Sequence, residues 1–215
     1  MTTLSIRPRV TQCQKPSGWL GRLVLRNMNV RHSGVTDWGL SHVRVEKDFT
    51  ILDAGCGGGR TVSKLAAIAS DGKVYGVDYS AASVTVATKT NQQSIRNGRV
   101  EIREGNVSAL PFQDDTFDLV TAVETHFWWP DLPAGFREVF RVLRPGGNVA
   151  VIAEIYKGAQ SEKAKMVEKH ASRTSIQILS PDEHAQLLSD VGFTEVQVAT
   201  EPHKGWIFAG GRKRV

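Results

Sequence analysis

Between residues 51 and 60 the chain reads Ile-Leu-Asp-Ala-Gly-Cys-Gly-Gly-Gly-Arg, an apolar run that delivers a carboxylate and then a glycine-rich turn. Glycines let a backbone turn sharply and come close to a ligand. Two ligand chemistries compete for such a turn. The dinucleotide fingerprint G-x-G-x-x-G, started at Gly55 and Gly57, needs glycine at residue 60, and that residue is Arg60. Asp53 would also place an anion beside a pyrophosphate. A ligand carrying a sulfonium and an amino group would instead be favoured by that carboxylate, so the residues point to a cation. A second stretch, Glu124-Thr-His-Phe-Trp-Trp-Pro-Asp131, packs a carboxylate, an imidazole and two indoles into six residues. These are side chains that can move a proton or wall a pocket.

Positioning these groups requires strands that end beside them. From residue 49 onward short β-branched runs alternate with helical stretches. Strands are expected at 49–53, 73–78, 99–104, 117–123 and 148–155. Helices are expected at 58–69, from an N-cap at Ser80 to about Arg96, and over about 131–143, where Arg-Pro-Gly-Gly stops the chain. A polar helical stretch at 161–170 reads as a substrate-side insertion. Ser180-Pro-Asp-Glu183 combines an N-cap, proline at the first helical position and a glutamate three residues on, and that helix closes at Gly192. Two strands follow, at about 193–200 and 205–210. The Glu-Pro-His-Lys link between them is too short for a parallel crossover, so they form an antiparallel hairpin. The expected fold is α/β: a seven-stranded, mostly parallel, doubly wound sheet with a C-terminal antiparallel hairpin strand. A plain dinucleotide dehydrogenase domain does not end this way. Residues 1–48 contain no β-α unit, with helical patterns at 18–28 and 35–43, and read as an arm or lid on the Rossmann-like domain 49–215. Packing and solubility alone are the alternative.

With these landmarks in order, the chain resembles the class I S-adenosylmethionine-dependent methyltransferases over residues 49 to about 211. The Asp-Ala-Gly-Cys-Gly-Gly-Gly run is similar to the family's first motif, Asp78 ends the second strand, Gly105-Asn-Val-Ser-Ala-Leu-Pro-Phe112 resembles the G-D-A-x-x-L-P-F segment, and Arg141-Val-Leu-Arg-Pro-Gly-Gly147 matches the turn before strand five. The resemblance implies S-adenosylmethionine as cofactor, with S-adenosylhomocysteine as product. It implies cofactor contacts at Asp53, Gly55, Cys56, Gly57, Asp78, Tyr79, Ser80, Gly105, Asn106, Val107 and Glu124. Asp78 would meet the ribose hydroxyls, Tyr79 the adenine ring, and Asn106, where the family usually has Asp, the adenine amino group. The segment from Met28 to Leu40 is similar to the N-terminal region of small-molecule members, which adds Asn29, His32 and Trp38. In the segment after strand four, Glu124 would hold the methionine end, His126 would act as a base or as a structural hydrogen-bonding group, and Trp128 and Trp129 would wall the substrate or pack in the core.

That segment also narrows the substrate. It is not the Asn/Asp-Pro-Pro-Tyr/Phe motif of exocyclic-amine methylation, and neither Cys13 nor Cys56 lies where cytosine C5 chemistry needs a nucleophile. A small-molecule acceptor is expected, with no metal, on a monomer or homodimer. The chain's net charge of +5 is uneven. Residues 1–50 carry eight basic and three acidic groups, residues 204–215 four basic and none acidic, and the middle fifteen against nineteen. The basic flanks read as solvated surface, with a polyanion-binding arm as the alternative. RNA or protein methylation and a non-catalytic S-adenosylmethionine-binding protein are therefore carried as competing readings. Two cysteines, no apolar leader and no run long enough to span a membrane give the cytoplasm as the expected location.

Overall fold

The computed structural model describes residues 33–171 and 176–215. In chain order the elements are α1 (Ser33–Leu40), β1 (Thr50–Ala54), α2 (Arg60–Ile68), β2 (Lys73–Asp78), α3 (Ala81–Thr90), α4 (Gln92–Arg96), β3 (Val100–Glu104) and β4 (Phe117–Val123). A 3-10 turn at His126–Trp128 follows, then α5 (Leu132–Val142), β5 (Leu143–Ala153), α6 (Glu162–Ala171), α7 (Pro181–Val191), β6 (Thr194–Glu201) and β7 (Trp206–Arg212). The seven strands form one sheet in the order β3-β2-β1-β4-β5-β7-β6. β1 to β5 run parallel and β7 pairs antiparallel with both β5 and β6. The strand order reverses between β1 and β4, which makes the carboxyl ends of these two strands the place where a ligand fits.

Parallel strands covered on both faces are apolar throughout, and β1 and β4 are buried along nearly their whole length. Successive residues feed opposite cores. Leu52 and Ala54 join Phe136, Val139 and Leu188 on the α5–α7 face. Ile51 joins Val62, Leu65 and Ala87 on the α2–α3 face. The helix ends follow the sequence closely. Asp131 caps α5 by accepting from Ala134 N at 2.8 Å. Ser180 and Glu183 form the reciprocal capping box of α7, and Gly192 ends it at φ 114°.

Three expectations change. The helix begun by Ser80 does not run unbroken to Arg96, because Asn91 leaves helical geometry at φ −106°, ψ 16° and divides it into α3 and α4. Strand five starts at Leu143 rather than 148, since Leu143 pairs with Phe117 before a register shift that absorbs the Arg-Pro-Gly-Gly turn. The predicted helix at 35–43 is α1, displaced towards Ser33. Separately, α1, the described end of the N-terminal segment, packs into the core. Val35 is buried with Ile152 and Phe208, and a Cβ on Gly39 would sit 2.5 Å from the Ile152 side chain. The helical pattern at 18–28 lies outside the described residues.

Candidate active site

The glycine turn is anchored to β2 before any ligand is considered. Gly55 N and Cys56 N both donate to Val77 O, at 2.7 and 2.9 Å. Gly55, Gly57 and Gly59 take φ of 81°, 51° and 77°, which side-chain-bearing residues rarely adopt. Gly55 is required twice over, because a Cβ there would lie 2.0 Å from Thr125 Oγ1. The close approach brings the first motif against the corner that follows β4. Asp78 holds the same turn from β2: its Oδ2 accepts from Gly57 N and its Oδ1 from Ser80 N, both at 2.9 Å. Ser80 Oγ in turn caps α3 by accepting from Ser83 N.

Two acids therefore stand at the switch point. Asp53 is buried, its Oδ1 accepting from Thr121 Oγ1 at 2.7 Å, and burial pushes its pKa up to about 7 against that one hydrogen bond, with the Asp78 charge adding to the rise. Burial also raises Asp78, although the amides of Ser80 and Gly57 oppose the shift. Among the described residues neither acid forms an ion pair. A buried, uncompensated carboxylate disfavours its own ionisation and is relieved by a cation. Cys56, on the same turn, is a buried thiol whose pKa is raised well above the ordinary value by desolvation and by these two acids.

Tyr79 leaves β2 with 44% of its surface exposed, available to a flat ligand. Gly105 N donates to Asp78 O at 3.0 Å, which closes β3 onto the site. Asn106 is exposed and its Oδ1 accepts from Ser108 N at 2.9 Å, so a turn already uses one of its lone pairs. Val107 points into the core.

The other half of the site is made by side chains. Glu124 adopts φ 56°, unusual for a residue with a Cβ. Its backbone N donates to Ile152 O at 2.9 Å and its carboxylate accepts from Glu154 N, which ties the ends of β4 and β5 together. His126 is buried, its Nε2 lying 3.0 Å from His184 Nε2. Burial holds both imidazoles below their usual pKa, His126 well below, so both are neutral at pH 7. Their tautomers follow from the partners. His184 Nδ1 faces the Ser180 carbonyl at 2.8 Å and must be the donor. Its Nε2 is then bare and accepts from His126 Nε2–H, leaving His126 Nδ1 as a buried lone pair with no partner.

The two tryptophans separate. Trp129 is 3% exposed; it packs on Phe136 and Gly135, and its indole nitrogen donates to Thr125 Oγ1 at 3.3 Å. This places it in the core beneath the site and not in a substrate wall, because α5 offers a glycine at the point of contact. Trp128 is half-buried and stays with Phe127, Ile155, Tyr156 and Ile176 in a small apolar cluster over the ends of β5 and β7. Trp38 packs on His42 and Trp206, at the β5–β7 side, whereas Asp53 and Asp78 stand on β1 and β2. Asn29 and His32 lie outside the described residues.

His184, Thr125 and Tyr156 were not singled out in the sequence. His184 follows a capping box, which by itself gives the side chain no direction; the packing of α7 turns it inward. Among the described residues no three His, Cys, Asp or Glu side chains gather as a metal site, and no helix is long and apolar enough to cross a membrane.

A glycine turn at the switch point, two buried acids at the ends of β1 and β2, and an antiparallel β7 beside β5 define an α/β domain built for a nucleoside cofactor with a positively charged end. Residues 52–151 match the Methyltransferase domain family, and the chain carries a class I S-adenosylmethionine-dependent methyltransferase domain. A demethylmenaquinone methyltransferase of Lactiplantibacillus plantarum is 34% identical over 115 residues, covering 53% of this chain and 48% of that protein. The O-methyltransferase cnsE of Penicillium expansum is 30% identical over 148 residues, covering 69% of this chain and 53% of that protein. The chain thus spans about half the length of these curated relatives. The fold is similar to that of a methyltransferase solved with the Trm112 activator of Haloferax volcanii, at a TM-score of 0.78 and 20% identity over 92% of this chain and 96% of that one. The residues fit the family's cofactor, S-adenosylmethionine. The turn leaves no room for a Cβ at Gly55, and the unpaired acids suit a ligand with a sulfonium and an ammonium group.

Proposed function

We propose that the chain transfers a methyl group from S-adenosylmethionine to a small-molecule acceptor. The observation that carries this reading is the pair of buried acids without ion-pair partners among the described residues, set beside the glycine turn. When bound, the cofactor supplies a methyl carbon already activated by positive sulfur, so the protein's task is chiefly alignment and exclusion of water. Asp78 receives the ribose, Tyr79 and Asn106 border the adenine, and Glu124 stands at the methionine end. The apolar cluster of Phe127, Trp128, Ile155 and Tyr156 over the ends of β5 and β7 supports an apolar or aromatic acceptor. The demethylmenaquinone and O-methyltransferase relatives are consistent with that chemistry. His126 enters as a neutral, fixed hydrogen-bond acceptor, since its depth and its lowered pKa disfavour exchange with bulk water.

Nucleic acid is not part of this reading. Three of the four cations in 204–215 are engaged: Lys204 lies over the Trp206 ring, Arg212 meets Glu195 at 3.7 Å, and Lys213 donates to Asp115 and to the Leu143 carbonyl. Calorimetric titration with S-adenosylmethionine, S-adenosylhomocysteine and NAD, followed by S-adenosylhomocysteine release from a panel of phenols and quinols, tests the proposal. Binding of the first two ligands with turnover on an aromatic acceptor is expected. Preferential NAD binding would overturn it.

A further inference from the structure

Helix α3 starts just after Asp78, the β2 acid that grips the glycine turn, and ends at an asparagine, Asn91. Asn91 is 3% exposed and leaves helical geometry between Thr90 and Gln92. Its Nδ2 donates to Gly59 O, 32 residues upstream, and to Ala87 O, each at 2.9 Å. Both amide hydrogens are used. Oδ1 has no partner, and a flipped amide would set that oxygen against two carbonyls, so the chemistry fixes the orientation. The contact is made at close range. A Cβ on Gly59 would stand 2.6 Å from Asn91 Nδ2 and 2.8 Å from Ala87 Cα. The last glycine of the turn therefore serves helix-to-helix approach, while Gly55 serves approach to Thr125. Gly59 also precedes α2 as a left-handed N-cap with no side chain to cap it, and its carbonyl accepts the first α2 hydrogen bond from Ser63 N at 3.1 Å.

We propose that Asn91 is a positioning residue for the cofactor, holding the glycine turn from behind as Asp78 holds it from the front. The two grips fall on either side of Gly58: the Asp78 carboxylate on Gly57 N–H, and the Asn91 amide on Gly59 C=O. Gly57 and Gly59 are thereby pinned in their left-handed conformations, with Gly59 N also donating to Cys56 O at 2.9 Å, so the turn meets a ligand without first being ordered. This inference rests on the reading of residues 53–59 as the cofactor turn.

The test uses the full chain and S-adenosylhomocysteine as probe. Asn91→Asp is isosteric but donates nothing at neutral pH and faces two carbonyls. Asn91→Ser can donate back to Ala87 O, as serines in helices do, and cannot also hold Gly59. In protein that is folded by circular dichroism, the dissociation constant is expected to rise about tenfold or more for the aspartate and at least about threefold for the serine. Hydrogen exchange at residues 57–60 is expected to quicken in both variants while that of β1 and β4 stays unchanged. A purely structural asparagine would lower the melting temperature and leave affinity and turn exchange alone. Affinity within about twofold of wild type in folded Asn91→Ser would overturn the proposal, and this milder variant decides the matter if the aspartate fails to fold. Asp78→Ala separates the two readings. If that variant and wild type bind equally, or if wild type does not bind at all, the cofactor site itself is misplaced; if only Asn91 is silent, the positioning role alone fails.

Discussion

The β1–β2–β3 half of the sheet edge and the β4–β5–β7 half are built by different means. On the first, backbone does the work: three left-handed glycines, amides donated to Val77 O, and one carboxylate accepting from two backbone nitrogens. On the second, side chains from distant segments converge. His126 meets His184, Glu124 reaches Glu154 N, and the Gln177 side-chain amide donates to the Trp129 carbonyl. The contrast separates what is common from what is particular. On the proposed function, the cofactor shared by many enzymes falls to the local turn and the acceptor to packing that a few substitutions can remodel.

The contrast can be broken at Trp129. Its burial on Phe136 and Gly135 predicts that Trp129→Ala loses about 3–5 kcal/mol of stability, read from urea unfolding. Trp128→Ala is expected to cost about 1 kcal/mol or less and to act on turnover instead. Equal stability losses would erase the distinction between core and acceptor wall.

Asp53 sharpens the first half. Its folded-state pKa of about 7 lies above the unfolded value of 3.8. Its contribution therefore favours folding below about pH 4 and is lost as pH rises through about 7, by on the order of 2–4 kcal/mol in the ligand-free protein. Asp53→Asn is expected to be the more stable protein at pH 8 and the weaker binder of S-adenosylmethionine. The urea midpoints of both proteins at pH 5 and pH 8 measure it; identical pH dependence would mean that Asp53 is ionised and compensated.

Gly55→Ala introduces a methyl 2.0 Å from Thr125 Oγ1 at φ 81°. S-adenosylhomocysteine affinity should fall by about 100-fold, or roughly 3 kcal/mol, in calorimetric titration. Retained affinity would show that the turn tolerates retreat from the β4 corner.

The smallest effect is expected at the histidine pair. His184→Leu leaves His126 Nε2–H buried without an acceptor, a loss of about 1–3 kcal/mol, while His184→Gln restores an acceptor oxygen and recovers part of it. S-adenosylhomocysteine affinity should move by no more than about twofold in either variant, because the pair lies in the β4–β5–β7 half, away from the glycine turn. A large affinity loss would join the two halves into one unit.

The amino-acid sequence by itself determined the alternation of strands and helices, the C-terminal hairpin, the caps at Ser80 and Ser180, and the glycine turn with its two acids. These are matters of local conformation: a left-handed turn needs glycine, a helix start needs an acceptor, and a short link forces antiparallel strands. Which of two adjacent tryptophans is core was settled only by packing, since Gly135 makes room for Trp129 and the 3-10 turn points Trp128 away. That His184 faces inward, that the Asn91 side chain bonds Gly59, and that α1 packs against the sheet's core were likewise decided in three dimensions. Each depends on a partner tens of residues away, and side-chain direction across such a distance is fixed by register and helix rotation, which no short stretch of sequence encodes.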